Sequence, residues 1–96
     1  MTRYVPYKEA QQMAKAEGAT VVLLRIQRLP QRPGWYLASI EVHSQSAETE
    51  EYVVKDICRE ERMTRQGADQ RAEEVAEDHG AVAIGVSEVG TAEQQE

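Results

Sequence analysis

Two histidines and one cysteine are the side chains of this sequence best suited to acid–base, nucleophilic or metal chemistry. His43 and His79 lack the helical His-x-x-x-His spacing that places two ligands on one metal ion, and a single Cys58 excludes a multi-cysteine zinc site. Cys58 also lacks the local motif of a known nucleophile. We therefore expect no catalytic residue, metal or cofactor. Cys58 is predicted to be a small buried residue, and His79 to bind carbonyl groups at a helix end.

Adjacent carboxylates recur along the chain, for example at Glu60 and Glu61. Neighbouring side chains on a strand or helix point in different directions, so such pairs do not aim two carboxyl groups at one substrate. The glycines form neither a G-x-G-x-x-G loop nor a P-loop. The sequence thus lacks these nucleotide-binding motifs.

Three arginines near Trp35 are possible anion contacts, namely Arg25, Arg28 and Arg32. Arginine beside an aromatic ring can bind phosphate and stack on bases. The net charge is −6, however, and residues 72–96 contain seven acids and no lysine or arginine. This acidic end disfavours nucleic acid as a partner, and the arginines have enough glutamates nearby to form surface ion pairs.

These side chains must be positioned by the elements that the apolar pattern predicts. Two helices end at glycine: one from Pro6 to Glu17, and one that includes Gln70 to His79. The start of the second helix is left open. Alternating or β-branched segments predict four strands: residues 19–29, 35–44, 49–58 and 82–86.

The predicted order is α-β-β-β-α-β. We expect an α+β two-layer sandwich, with a four-stranded, mostly antiparallel sheet and two helices on one face. Residues 1–89 are predicted to form one domain, and residues 90–96 a flexible acidic tail. The first five elements follow an order similar to that of double-stranded-RNA-binding domains. That family's Lys-Lys-x-Ala-Lys cluster is absent, since Arg65-Gln-Gly-Ala-Asp-Gln-Arg71 stands in its place.

Helices on one face would leave an apolar set on the other face, formed by Val21, Leu23, Trp35, Leu37, Val53 and Ile57. An exposed apolar patch marks an interface. We therefore predict a small, acidic, non-catalytic protein-binding or regulatory module that forms a homodimer, or binds another protein, through this face. The alternative is that the first helix crosses over and covers the face itself.

Two other functions fit the sequence. The chain could be an inhibitor from a phage or other mobile element whose acidic helix surface, Glu73, Glu74, Glu77 and Asp78, occupies a basic nucleic-acid-binding surface. It could also be a small ligand-binding protein or enzyme with a helix–sheet cleft that uses His43, Cys58 or Tyr52. No apolar run or signal peptide is present, so we expect a cytoplasmic protein without a membrane partner.

Overall fold

The structure is a computed structural model that describes residues 3–46 and 48–91. Its elements in chain order are β1 (Arg3–Pro6), α1 (Tyr7–Glu17), β2 (Val21–Arg28), β3 (Trp35–Gln45), β4 (Tyr52–Thr64), α2 (Arg65–His79) and β5 (Ala83–Thr91). No helix of the described residues is long and apolar enough to span a membrane. The first residues of the predicted tail belong to β5, and residues 92–96 lie outside the described part of the chain.

Both helices end where the sequence predicts. Gly18 and Gly80 take left-handed conformations, with φ values of 70° and 66°, which glycine adopts without steric cost. The start of α2 is now defined, because the Thr64 hydroxyl accepts a hydrogen bond of 3.0 Å from the Gly67 N–H. Such a bond satisfies one of the free donors of the first helical turn.

The sheet has five strands in the order β1-β5-β2-β3-β4. β1 and β2 both run parallel to β5, whereas β2–β3 and β3–β4 are antiparallel. The α+β class and the two helices are confirmed, but the four-stranded, mostly antiparallel sheet is corrected to a mixed sheet of five strands. The strand that the prediction lacked is β1. It has four residues and forms only because β5 supplies its backbone partners, beginning with Ala83 opposite Arg3.

The strand β4 is also longer than the predicted segment, which ended at Cys58. It continues to Thr64, because β3 offers a ladder that reaches Trp35 opposite Thr64. Residues 59–64 lie outside the predicted strands because they are mostly charged. Those charges fit the edge of the sheet, where most of their side chains are exposed.

The two helices lie on opposite faces of the sheet, so the prediction of two helices on one face is wrong. α1 packs on Val21 and Leu23, while α2 packs on Val22 and Leu24, the alternate residues of the same strand. The connections explain this arrangement. The helix between β1 and β2 and the helix between β4 and β5 join parallel strands in opposite directions across the sheet. Because both crossovers have the same handedness, their helices lie on opposite faces of the sheet.

Each face therefore has its own core. The larger core lies under α2 and consists of Val22, Leu24, Ile26, Ala38, Ile40, Val42, Cys58, Ala68, Ala72, Val75, Ala76, Ala81 and Ile84. The smaller core lies under α1 and consists of Ala10, Ala14, Val21, Leu23 and Ala83. Only a small part of the α1 face is thus closed by apolar packing.

Candidate functional site

A groove runs along the α1 face because α1 is shorter than the strands beneath it. Its 11 residues span about 16 Å, whereas the 11 residues of β3 span about 36 Å. The helix closes the part of the face at Val21 and Leu23, both fully or almost fully buried. Beyond Leu23 the next residue of β2 on this face is Arg25, which is exposed.

Two adjoining cavities, of about 280 and 360 Å³, make up the groove. Both are lined by Tyr7, Arg25, Ser39 and Glu60. The first is completed by Leu23, Glu41, Asp56, Cys58 and Arg59, and the second by Gln27, Leu37, Ser87 and Val89. The first turn of α1 and four neighbouring strands therefore contribute to one continuous, mainly polar surface.

Backbone geometry sets the shape of the groove wall on β4. Ser39 lies opposite Arg25 in the β2–β3 ladder, and its hydroxyl accepts a hydrogen bond of 2.9 Å from the Glu60 N–H. The β3–β4 register is irregular here, and Glu60 has a positive φ of 53°. A non-glycine residue in this conformation is strained by about 1–3 kcal/mol. The strained bulge directs the Glu60 segment toward the groove.

The charges along the groove are only partly neutralised. Arg59 pairs with Asp56 at 3.0 Å. In residues 3–46 and 48–91, by contrast, no group forms an ion pair or hydrogen bond with the Arg25 guanidinium. Glu60 and Glu41 border the same groove as Arg25. The groove thus offers one unpaired cation near two carboxylates.

Glu41 is held in place by a hydrogen-bonded chain of three side chains. His43 is buried, with 7% of its surface exposed, and its Nε2 lies 2.8 Å from Glu41 Oε1. Its Nδ1 contacts the Tyr52 hydroxyl at 2.5 Å. An ionised carboxylate only accepts, so Nε2 donates to Glu41, and in the neutral ring Nδ1 accepts from Tyr52. Lys15, in the last turn of α1, lies 6.0 Å from the centre of the Tyr52 ring.

This chain suits positioning better than catalysis. Burial raises the pKa of Tyr52 above its ordinary value, and the charge of Glu41 raises it further. The phenol therefore stays protonated near neutral pH and is a poor nucleophile. Its proton is directed at His43, and the imidazole fixes Glu41 at the border of the groove. The same bonds join the start of β4 to β3.

The other two candidates for chemistry have structural contacts. Burial raises the pKa of the Cys58 thiol, which packs in the α2-side core and donates to the Ala38 carbonyl at 3.8 Å. This confirms the prediction of a small buried residue. His79 donates from Nδ1 to the Val75 carbonyl at 3.0 Å, as predicted for a histidine at a helix end.

The predicted dimer face does not exist as one exposed surface. Val21 and Leu23 lie under α1, so the alternative in which the first helix covers this face holds for these two residues. Val53 and Ile57 do not lie on the α1 face. Val53 points to the α2 face, and Ile57 packs partly buried against the α2-side core, because a bulge between Asp56 and Cys58 changes the alternation of β4. Homodimerisation itself stays a prediction, while Trp35 and Leu37 remain half-buried on the α1 face.

The structure separates the three arginines that were predicted as anion contacts. Arg25 lies in the groove, whereas Arg28 points to the other face and pairs with Glu88 at 3.4 Å. Arg32 lies at the hairpin tip, 4.4 Å from the centre of the Trp35 ring. Of the three, only Arg25 belongs to the candidate site. Tyr7, Ser39, Glu41 and Glu60 were not predicted as members of it.

All four acidic residues of the predicted helix surface are exposed on α2. Glu73 is engaged, since its Oε2 accepts a hydrogen bond of 2.6 Å from the Tyr4 hydroxyl of β1. The other three, Glu74, Glu77 and Asp78, form no side-chain hydrogen bond or ion pair with a residue that the structure describes.

Residues 3–46 and 48–91 contain no group of three or more histidine, cysteine, aspartate or glutamate side chains placed to hold a metal ion. No protein-family model, curated protein or solved structure matches the chain. Function must therefore be argued from the geometry of the groove and the exposed surfaces alone.

Proposed function

We propose that this protein is a non-catalytic binding module that holds a segment of a partner protein in the groove on its α1 face. The observation that carries the proposal is the exposed and unpaired guanidinium of Arg25 on the groove floor. A guanidinium presents five N–H donors in a planar fork that matches a carboxylate. Arg25 is therefore assigned as the contact for an acidic group of the partner.

The carboxylates of the groove define the rest of the preferred segment. Glu41 and Glu60 line the same cavity as Arg25, and Glu41 is held by His43. Opposite charges across an interface fix the orientation of the partner and exclude wrong partners. A segment with an acidic residue and a nearby basic residue would satisfy both signs of charge. A uniformly acidic or basic segment would meet repulsion.

The form of the groove also favours a polypeptide over a small molecule. Small-molecule sites are usually enclosed and mostly apolar, with few polar groups. Here charged and hydroxyl side chains line most of the surface, and apolar Leu37 and Val89 lie at one end. Such a mixture of polar and apolar groups is typical of protein interfaces.

The test is a titration of isotope-labelled protein with short peptides that carry one carboxylate and one basic side chain, followed by amide NMR shifts. We expect the largest shifts at Arg25, Ser39 and Glu60. Arg25→Ala should remove these shifts. Arg28→Ala, a matched change on the opposite face of the same strand, should leave them intact. Shifts centred on another surface, or equal losses in both variants, would contradict the proposal.

The exposed and unpaired carboxylates of α2 favour a second candidate, an inhibitor that occupies a basic nucleic-acid-binding surface. The test is displacement of duplex DNA from a panel of basic DNA-binding domains, which should weaken as salt increases. Changing Glu74, Glu77 and Asp78 to lysine should abolish displacement. Glu73 is kept because it binds Tyr4. If the triple variant still displaces the DNA, the acidic residues of α2 are not the inhibitory surface.

A further inference from the structure

The outer edge of β4 exposes three consecutive large apolar side chains. Tyr52, Val53 and Val54 are 36%, 41% and 47% exposed. Natural sheets protect their edges with charges, bulges, prolines or very short strands. β1 has such protection, since it has four residues and ends at Pro6, and the part of β4 from Asp56 onward is charged and irregular. The segment from Tyr52 to Lys55 has none of these protections except the charge of Lys55.

The free backbone groups of this segment point away from the sheet at defined positions. The Glu51 carbonyl accepts a hydrogen bond of 2.8 Å from the Ser46 N–H, so it points toward the β3 side. Backbone groups alternate between the two sides of a strand. The N–H and C=O groups of Tyr52 and Val54 therefore point outward, where an added strand can bond them.

We propose that a second copy of this chain adds to this edge in antiparallel orientation, with Val53 opposite Val53 of the second copy. Tyr52 then lies opposite Val54 of the second copy, and Glu51 opposite Lys55. The Tyr52–Val54 pairs use the outward backbone groups and form four hydrogen bonds across the two-fold axis. The exposed valines and the tyrosine ring cover one another, and each of two acidic side chains meets a basic one.

Charge and apolar pairing select this register over its neighbours. Paired residues must lie on the same face of the continuous sheet, so the register can shift only by whole residue pairs. Centring on Val54 would place Tyr52 opposite Asp56 and Val53 opposite Lys55. Centring on Tyr52 would place Val53 opposite Glu51 and Val54 opposite Glu50. Both alternatives oppose apolar residues to charges, which leaves the Val53-centred register as the self-complementary one.

The proposal does not depend on the groove, because none of the residues from Glu51 to Lys55 lines it. The paired segment is short, and stable interfaces usually bury about 1,200–2,000 Å² in total. We therefore expect an association that depends on protein concentration rather than an obligate dimer. Glu51 and Lys55 are exposed, so their exchange tests the register without disturbing the core.

Sedimentation equilibrium over a range of concentrations tests the proposal with a charge exchange. Glu51→Lys alone places lysine opposite Lys55, and Lys55→Glu alone places glutamate opposite Glu51. Each single variant should weaken dimerisation about tenfold or more, because two like-charged pairs form by symmetry. The double variant should restore the dimer. Glu9→Lys changes the net charge equally but lies in the first turn of α1, away from β4, so it serves as the control.

Circular dichroism should show that all four variants stay folded, since the exchanged side chains are exposed. A wild-type chain that stays monomeric at every concentration would overturn the proposal. A dimer that the single changes do not affect would also overturn it, because the interface would then lie elsewhere. Failure of the double variant to restore dimerisation would overturn the register.

Discussion

Gly85 of β5 lies directly beneath Ala10 of α1. A Cβ atom placed on Gly85 would lie 2.7 Å from the Ala10 Cβ, 3.0 Å from the Tyr7 Cα and 3.1 Å from Leu23 Cδ2. These distances are shorter than ordinary carbon–carbon contacts of about 3.5–4.0 Å. The absence of a side chain at Gly85 therefore sets how closely α1 approaches the sheet, and thereby the position of Tyr7 at the groove.

The variant Gly85→Ala should destabilise the protein, because one of its three close neighbours is helix backbone and cannot rotate away. Overpacking of this kind costs about 1–3 kcal/mol. Urea unfolding monitored by circular dichroism measures the change. Ser87→Ala, on the same face of the same strand, should have a smaller effect. Equal stability of Gly85→Ala and the wild type would show that α1 moves without cost.

The variant Tyr52→Phe should also lower the free energy of unfolding. It removes the only donor to His43 Nδ1 in the part of the chain described, and leaves a buried acceptor unsatisfied. The expected loss is about 1–3 kcal/mol. Tyr36→Phe is the control, since no described residue hydrogen-bonds its hydroxyl. Unfolding at low protein concentration keeps self-association out of the comparison, and equal losses in both variants would contradict the role assigned to His43.

Stability should decline at alkaline pH because of Tyr4. Burial raises the pKa of this phenol, and its bond to Glu73 raises it further. The folded protein thus holds the proton more tightly than the unfolded chain. The resulting stabilisation is complete below about pH 10 and is lost as the pH rises through the raised value. Unfolding at about pH 8 and about pH 11 should show the decline, and Tyr4→Phe should reduce it. If Tyr4→Phe leaves the decline unchanged, other titrating groups cause the loss of stability.

Cys58 should react slowly with alkylating reagents while the protein is folded. Its thiol is buried, and burial raises its pKa, so little thiolate is present or accessible near neutral pH. Labelling with iodoacetamide, followed by mass spectrometry, should accelerate sharply across the urea transition. Rapid labelling without denaturant would mean that β4 opens locally at Cys58.

Substitution by glycine should lower the stability of the protein less at Glu60 than at the neighbouring Glu61. Glu60 has a φ of 53°, which glycine adopts without strain, whereas glycine elsewhere in a strand costs about 0.5–1 kcal/mol. Glu60→Gly should therefore be at least as stable as the wild type, and Glu61→Gly less stable. Thermal unfolding of the two variants provides the comparison. The reverse order of stability would indicate that the Glu60 side chain contributes more than its backbone strain.

The parts of the fold that were predicted correctly depend on local chemistry. Gly18 and Gly80 end the helices, and the alternation of β3 places Ala38, Ile40 and Val42 in the core. The errors concern long-range pairing. β1 is too short to recognise without β5, and the bulge in β4 after Asp56 moves later side chains to the opposite face without a proline or glycine to mark it.

The groove could have been located more fully from the hairpin register. The loop after Arg28 places Arg25 opposite Ser39, next to Glu41 on the same face, which is a polar set within otherwise apolar strands. Tyr7 belongs to the groove only because α1 lies on that face, and the position of α1 depends on β1. Glu60 could not be predicted at all, because its orientation comes from an irregular ladder.

The position of β5 restricts the order in which the protein can assemble during its synthesis. β5 follows all the other described strands in the chain, yet it lies between β1 and β2. On the ribosome, β2, β3 and β4 can form a meander as they emerge. Although β1 is translated before the other described strands, it has no strand to pair with until β5 has left the exit tunnel. The nascent chain must therefore keep β1 unpaired the longest of the described strands, and closure of the sheet waits for β5.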